Sequence, residues 1–211
     1  MLREETVEPS TLELLKKLTS MPELSNFRLV GGTALSLLLG HRKSIDIDLF
    51  TDIPFEKDEL INLLDSNFPE YSSLENRSRS IFQCIIKNVK VDFVCVKDPF
   101  IHPVDYINTI PFANIKDIIA LKLNTIKGRG AKKDFWDVAK LLQLYELGEL
   151  LNFYQARYPY DDTFAVMRSI VYFDDAEDDA DPEIIEKISW EQVKNIIKKA
   201  FNDYYKQNTK N

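Results

Sequence analysis

The chain has 211 residues, of which 45% are hydrophobic and 11% aromatic, and its formal net charge is −7. This composition fits one medium-sized globular domain or two small ones, and it excludes a disordered chain and a protein that coats nucleic acid nonspecifically. No apolar run reaches the roughly 18 residues of a membrane span. The polar start is unlike a secretory signal, so we expect a cytoplasmic protein.

The first hundred residues mix helical and strand patterns. The predicted helices span 9–20, 33–39 and 56–66. The predicted strands span 27–30, 45–50, 71–77, 81–86 and 89–96. Gly31-Gly32 ends the first strand, and Gly40 ends the leucine-rich second helix as a C-terminal cap. These patterns predict an α+β domain over residues 1–100.

Prolines at positions 99, 103 and 111 interrupt this pattern, which predicts a linker over residues 101–112. Everything after it has helical spacing. The predicted helices span 115–126, 133–147, 149–158, 162–172, 182–187 and 190–207. Ser189 and Gln192 form a capping box for the last of them. The sequence therefore predicts an all-helical domain over residues 113–211.

Two aspartates flank Ile47 in the strand 45–50. Residues two apart on a strand face the same way, so Asp46 and Asp48 share a face with Ser44. A solvated polar face explains these residues taken alone. Asp92 weakens that explanation, because a lone carboxylate in an apolar strand is costly unless it is paired, hydrogen-bonded or bound to a metal.

If the strand of Asp92 neighbours that of Asp46 and Asp48, three carboxylates converge and repel one another without a cation. Oxygen ligands favour Mg²⁺ or Mn²⁺, which can bridge carboxylates and a nucleoside triphosphate. Cysteine plays no part, because Cys84 and Cys95 lack CxxC spacing and are expected to be buried thiols. The sequence thus predicts a metal site formed by the three aspartates.

Gly31 and Gly32 end a strand and open a helix. Backbone N–H groups at such a turn can approach phosphate closely, and Thr33 adds a hydroxyl or caps the helix. A double glycine is a weak signal by itself, since turns use glycine routinely. Its combination with Asp-x-Asp one helix further on, and with a later strand aspartate, is far more specific.

These residues, Val30-Gly31-Gly32, Asp46-x-Asp48 and Asp92, resemble the signature of the nucleotidyltransferase superfamily. The segments GHRKSIDIDLF, DIIALKLNTIKGRGAKKDFWDVAKLL, YFDDAEDDADP and SWEQVK resemble its AbiEii/AbiGii toxin branch. The resemblance implies a nucleotidyltransferase-type mixed sheet flanked by helices and followed by a helical domain. It implies Mg²⁺-dependent transfer of NMP from an NTP to an acceptor, tRNA or a protein. It also implies a toxin with a cognate antitoxin, in a toxin–antitoxin or abortive-infection pair.

Lys122 interrupts the apolar face of the helix 115–126. Such a lysine either extends to the surface or points into a cleft. The resemblance supports a role for it in holding the triphosphate or in stabilising charge in the transition state. It also implies that Lys133, Asp134 and Asp137 line the wall of the cleft, where the two acids orient Lys122 or act on the acceptor. Without the resemblance, Asp134 and Asp137 are acids at a helix start, where the helix dipole favours them.

Other charged segments are candidates for binding phosphates or RNA. Arg42 lies in the turn before the Asp46 strand, and Ser44 completes the motif of the toxin branch. The stretch 116–133 holds six basic residues and one acid, which predicts contact with an RNA backbone or with the triphosphate. The alternative is a charged surface loop. Seven of the ten residues 174–183 are acidic and predict an exposed loop that can meet a basic partner.

Two other functions remain open at this point. An Asp-x-Asp phosphohydrolase of the haloacid-dehalogenase type has Thr or Val two places after the second aspartate, where this chain has Phe50. That pattern also gives no role to Gly31-Gly32. The other alternative is an inactive relative that binds a nucleotide or a partner protein without turnover.

Overall fold

The computed structural model describes residues 1–208, so the last three residues of the predicted helical domain lie outside the described part. The chain divides into two units. The first consists of Met1–Leu38 and Ser44–Ala113. The second consists of Leu39–Lys43 and the chain from Asn114 onwards. A five-residue segment of the N-terminal half therefore belongs with the helical unit.

A seven-stranded sheet forms the centre of the first unit. Its strands are β1 (Arg28–Val30), β2 (Ile47–Thr51), β3 (Ser72–Leu74), β4 (Ile81–Ile86), β5 (Val89–Cys95), β6 (Asp105–Ile107) and β7 (Ile110–Phe112). They are ordered β3-β4-β5-β2-β1-β7-β6. The pairs β2–β5 and β1–β7 are parallel and the other pairs are antiparallel, so the sheet is mixed.

Three α-helices accompany this sheet: α1 (Pro9–Thr19), α2 (Gly31–Leu39) and α3 (Lys57–Asn67). Proline at the first position of α1 suits a helix start, because its missing N–H is not needed there. Apolar residues of β2 and β5 alternate with partly exposed ones, which places one row of side chains in the core. Phe27 and Phe93 pack edge to face in that core, with ring centroids 5.5 Å apart.

Residues 101–112, for which the sequence predicts a linker, instead contain the hairpin of β6 and β7. Asn108 and Thr109 form its two-residue turn with φ angles of 49° and 68°. Such turns usually carry glycine, so this one has a weak sequence signal. Pro111 lies in an interior strand, where proline is uncommon because it cannot donate to a neighbouring strand. The prolines therefore do not mark the end of the sheet.

Up to residue 208, the second unit contains five α-helices: α4 (Ile115–Gly128), α5 (Lys132–Leu141), α6 (Leu147–Arg157), α7 (Thr163–Ile170) and α8 (Trp190–Asn208). Helix α4 packs on α5, α6 and α7, while α8 packs on α5 and α6. Trp136 of α5 stacks on Trp190 of α8 at a centroid distance of 5.2 Å. The predicted capping box of α8 is confirmed, because the N–H groups of Ser189 and Gln192 each donate to the other side chain.

Two helix predictions are wrong in this unit. The helix predicted over 182–187 is absent, and Ile184 instead forms an antiparallel bridge with Arg42. A segment of six residues is too short to form a stable helix by itself. Its backbone instead forms hydrogen bonds with residues 41–43. The helix predicted over 133–147 ends at Leu141, and a new helix starts at Leu147 behind a capping box of Glu146 and Glu149.

The predicted fold class is confirmed: a mixed α+β unit followed by an all-helical one. Within residues 1–208, no helix combines the length and the apolar character that a membrane span requires.

Candidate active site

Gly31 lies at the turn from β1 to α2 and packs directly against Asp48. Its φ of +73° is in the left-handed region, which favours glycine. A Cβ atom at this position would lie 2.0 Å from Oδ2 of Asp48 and 2.8 Å from its Cγ. The turn therefore requires glycine for two reasons, its backbone angle and the closeness of the carboxylate. Gly32 follows as the second residue of α2.

Asp48 and Asp92 lie opposite each other on neighbouring parallel strands, β2 and β5. Residues in register on adjacent strands point to the same face of the sheet, so these two carboxylates share a face. Both residues are partly exposed, whereas their strand neighbours Leu49 and Phe93 are fully buried. The strand adjacency that the metal-site prediction assumes is thus present for Asp48 and Asp92, whereas Asp46 precedes the first residue of β2.

Thr33 and Ser44 organise the backbone just before β2. The Thr33 side chain is fully buried, its hydroxyl donates to the carbonyl oxygen of Asp46, and it lies 2.9 Å from the Ser44 hydroxyl. Ser44 in turn donates its N–H to the carbonyl oxygen of Thr6. These contacts hold the backbone of the Asp46 segment through Thr33 and Ser44. The sequence predicts phosphate binding for these two residues.

Asp92 has a cationic partner that the sequence prediction missed. Lys90 precedes it by two residues on β5, and its Nζ lies 2.6 Å from Oδ2 of Asp92. Among residues 1–208, nothing hydrogen-bonds to the buried Oδ1 of Asp92. The period-two alternation of β5 was the available signal, since it places both side chains on one face.

The donor atoms of this face suit a small divalent cation. Carboxylate oxygens without histidine or thiol are the ligands that Mg²⁺ and Mn²⁺ prefer. The buried Oδ1 of Asp92, to which nothing in residues 1–208 hydrogen-bonds, fits as a ligand of such an ion. In the conformation described for residues 1–208, however, no three His, Cys, Asp or Glu side chains are arranged to hold one metal. Lys90 occupies one oxygen of Asp92 in that conformation.

The second unit contains a separate group of buried charges, here called the buried ion cluster: His41, Arg42, Lys122, Asp134 and Asp137. Arg42 donates from Nε and Nη2 to the two carboxylate oxygens of Asp137, at 2.6 and 2.8 Å. Nε2 of His41 lies 2.7 Å from Oδ1 of Asp137. Lys122 Nζ lies 2.7 Å from Asp134 and 2.8 Å from Asp137.

Burial and pairing act in opposite directions on the pKa values of Asp137 and Lys122. Burial alone would raise the pKa of Asp137, but the charges of Lys122 and Arg42, with hydrogen bonds from His41 and Arg42, hold that pKa well below its usual range. Burial opposes the charge of Lys122, yet Asp137 and Asp134 raise its pKa. Asp137 is therefore an anion and Lys122 a cation at neutral pH.

This cluster attaches segment 39–43 to the helical unit. Arg42 is 3% exposed, and its guanidinium is engaged by Asp137 and by the carbonyl oxygen of Lys43. The carbonyl oxygen of His41 accepts the N–H groups of Ile185 and Glu186. The sequence offered Arg42 as a phosphate ligand, and the structure gives it a buried carboxylate as partner.

The basic stretch 116–133 is less available than its sequence suggests. Lys122 is buried, and Lys127 donates to Tyr154 and Asp161. Lys132 donates to the carbonyl oxygens of Glu177 and Asp179. Lys116, Arg129 and Lys133 remain exposed. Three of the six basic side chains on this stretch are thus exposed, so fewer positive charges are available to an RNA backbone than the sequence suggests.

The acidic segment 174–183 finds basic partners within its own unit. Oδ2 of Asp179 accepts the N–H of Lys132 at 2.9 Å, at the start of α5. Glu177 accepts from Lys194 at 2.8 Å and from the indole N–H of Trp190 at 2.9 Å. The segment therefore caps α5 and joins it to α8.

Comparison with solved structures identifies the fold as that of nucleotidyltransferases. A Helicobacter pylori protein assigned as a nucleotidyltransferase matches with a TM-score of 0.57 and 19% identity, over 96% of this chain and 98% of its own. MenT4, a nucleotidyltransferase toxin from Mycobacterium tuberculosis H37Rv, matches with a TM-score of 0.56 and 13% identity, over 92% of this chain and 84% of its own.

Sequence comparison then defines the family. The family model described as "Nucleotidyl transferase AbiEii toxin, Type IV TA system" matches residues 13–209, so the chain belongs to this family. The uncharacterized protein aq_aa25 of Aquifex aeolicus (strain VF5) is 30% identical over 200 residues, covering 91% of this chain and 94% of its own. The resemblance to the AbiEii/AbiGii branch noted in the sequence is confirmed.

Proposed function

We propose that this protein transfers a nucleoside monophosphate from an NTP to a hydroxyl acceptor, with tRNA or another RNA as the favoured acceptor. The observation that carries the proposal is the shared face of Asp48 and Asp92 in register on β2 and β5, with Asp48 packed against Gly31. Membership of a nucleotidyl transferase toxin family supports the same reaction.

Asp46, Asp48 and Asp92 would hold Mg²⁺ or Mn²⁺ in this proposal. When bound, the ion supplies Lewis acidity at the phosphates and neutralises the charge of the carboxylates. Coordination through Oδ2 of Asp92 would require Lys90 to leave, because its ammonium occupies that oxygen in the conformation described. The N–H groups at the start of α2, beginning at Gly31 and Gly32, would receive phosphate oxygens in this proposal.

The proposed step is a displacement at the α-phosphorus. The acceptor oxygen forms a bond to the α-phosphorus while the bond from that phosphorus to the bridging oxygen breaks, and pyrophosphate leaves. Asp92 accepts the proton of the acceptor hydroxyl, for which its unpartnered Oδ1 is suited. Asp46 and Asp48 orient the triphosphate.

The roles that the family resemblance implies for residues of the helical unit stay predictions. Asp137 and Asp134 raise the pKa of the buried Lys122 ammonium, so its predicted role is electrostatic, at the triphosphate. Asp134 and Asp137 pair with Lys122 and fix its position. Lys133 is exposed on the first turn of α5 and is a predicted contact for phosphate.

Labelled nucleotides test the proposed reaction directly. Wild-type protein, Asp46→Ala and Asp48→Asn would each be incubated with α-labelled NTPs, Mg²⁺ and total RNA. Asp58→Asn, which removes an exposed carboxylate from the same unit, is the matched control. We expect label in RNA with the wild type and the control, and at least about 100-fold less with the two site variants. Equal labelling by all four proteins refutes the assigned roles.

The assay also separates the two alternatives. NTP binding without transfer of label by the wild type would favour an inactive binding protein. Release of inorganic phosphate in place of transfer would favour a phosphohydrolase, which no feature of the described fold supports.

We further propose that the protein acts as the toxin of a pair whose second member is a cognate antitoxin, as the family description indicates. Expression in a bacterial host is expected to arrest growth, and Asp46→Ala is expected to relieve the arrest. Mass measurement of tRNA from arrested cells identifies the added nucleotide. Arrest that persists with Asp46→Ala would contradict a toxicity that depends on transfer.

A further inference from the structure

Lys90 stands out because it neutralises the carboxylate of Asp92. The two side chains lie two residues apart on β5 and so share a face, with Nζ and Oδ2 separated by 2.6 Å. Within residues 1–208, Lys90 is the only cation that pairs with Asp92. Across the strands, Asp92 faces Asp48 on one side and the neutral Gln83 on the other.

This arrangement offsets part of the negative charge on the face shared by Asp48 and Asp92. Two carboxylates in register on neighbouring strands repel each other, and a monovalent cation beside one of them offsets part of that repulsion. The Lys90 side chain is 41% exposed and that of Asp92 15% exposed. The ammonium can therefore move into solvent, whereas the carboxylate stays on its face of the sheet.

We propose that Lys90 is an internal counter-ion that competes with the divalent cation for Asp92. Lys90 pairs with Asp92 in the ion-free protein and leaves when the cation arrives, so the site exchanges one cation for another. The inference rests on the proposed function in taking Asp92 as a ligand of that cation. Lys90 thereby weakens ion binding. It also reduces the repulsion between the carboxylates of Asp48 and Asp92 until the ion is present.

The exchange predicts a tighter site when Lys90 is neutralised. Ion binding breaks the Lys90–Asp92 pair and leaves an ammonium near a dication, and both effects disappear in Lys90→Met. For a partly exposed pair the expected change is about a two- to fivefold tighter dissociation constant for Mn²⁺. Lys90→Arg keeps the charge and is expected to bind Mn²⁺ with wild-type affinity.

Calorimetric titration with Mn²⁺ alone measures this, using wild type, Lys90→Met, Lys90→Arg and Lys97→Met. Lys97 is an exposed lysine of the same unit, so Lys97→Met matches the change in net charge and is expected to leave affinity unaltered. In EDTA, Lys90→Met is expected to have a lower Tm than Lys97→Met, and saturating Mn²⁺ is expected to remove that difference.

The outcomes distinguish this inference from the proposed function. Equal or weaker Mn²⁺ affinity in Lys90→Met overturns the counter-ion role while leaving the metal site intact. A gain in affinity shared by Lys97→Met also overturns it, because net charge would then explain the effect. If neither the wild type nor Lys90→Met binds Mn²⁺, both the inference and the metal assignment fail.

Discussion

Gly31→Ala is the substitution whose consequences the structure defines most closely. The new methyl carbon would be built 2.0 Å from Oδ2 of Asp48. Non-bonded atoms in contact are about 3.5 Å apart, so the carboxylate or the turn must move by more than about 1 Å. The φ of +73° adds a backbone cost of roughly 1–2 kcal/mol for a residue with a Cβ atom.

These two effects act on different quantities. The free energy of unfolding is expected to fall by about 1–3 kcal/mol, which a folded protein usually survives. Displacing a catalytic carboxylate by about 1 Å is expected to lower the rate of nucleotide transfer on the order of 100-fold. Urea unfolding followed by circular dichroism measures the first quantity, and the labelled-NTP assay measures the second.

Gly128→Ala is the matched control, because nothing lies within 4 Å of a Cβ atom built there. It lies at the end of α4, so alanine is expected to be neutral or stabilising by up to about 1 kcal/mol. A Gly31→Ala protein that transfers nucleotide at the wild-type rate would refute the argument that Asp48 requires this glycine.

Three further predictions concern buried groups. Asp137→Asn is expected to cost about 3–5 kcal/mol in urea unfolding, since it leaves the buried Arg42 without its carboxylate and Lys122 with Asp134 alone, whereas the exposed Asp203→Asn is expected to cost under about 0.5 kcal/mol; equal costs would contradict the ion cluster. Because the folded pKa of Asp137 lies below the unfolded value, its stabilisation is complete above about pH 4 and is lost as the pH falls through the folded pKa. The gap between wild type and Asp137→Asn is therefore expected to shrink in acid, and a gap that stays constant from pH 7 to strong acid would speak against this linkage. Burial, with the charge of Asp92, raises the pKa of Cys84 to about 12, so the Cys95→Ser protein is expected to resist thiol reagents at about pH 8 until it is unfolded; rapid labelling of the folded variant would exclude a buried thiol.

Much of the β-sheet could be predicted from local patterns. The hairpin of β4 and β5 follows from two alternating strands and the Lys87-Asn88 turn, which has positive φ at both residues. The face shared by Asp48 and Asp92 follows from the same alternation once the strands are neighbours. Strand adjacency itself was an assumption of the sequence prediction, because periodicity does not indicate which strands pair.

Two of the errors come from interactions between residues that are distant in the sequence. Arg42 and Asp137 are 95 positions apart in the sequence, and the pattern around either residue does not indicate that the two form a buried ion pair. Arg42 also forms an antiparallel backbone bridge with Ile184, and this pairing replaces the helix predicted over residues 182–187. The pairing of Lys90 with Asp92 depends on a side-chain rotamer, and strand alternation alone specifies only that the two share a face.

The most direct test of the proposed metal and nucleotide site is a crystal structure with Mn²⁺ and a non-hydrolysable NTP. We expect an anomalous peak within coordination distance of the Asp48 and Asp92 carboxylates. We also expect the phosphates to lie at the Gly31 turn and Lys90 to point away from Asp92. A peak remote from these carboxylates, or a bound nucleotide with Lys90 still paired to Asp92, would contradict these expectations.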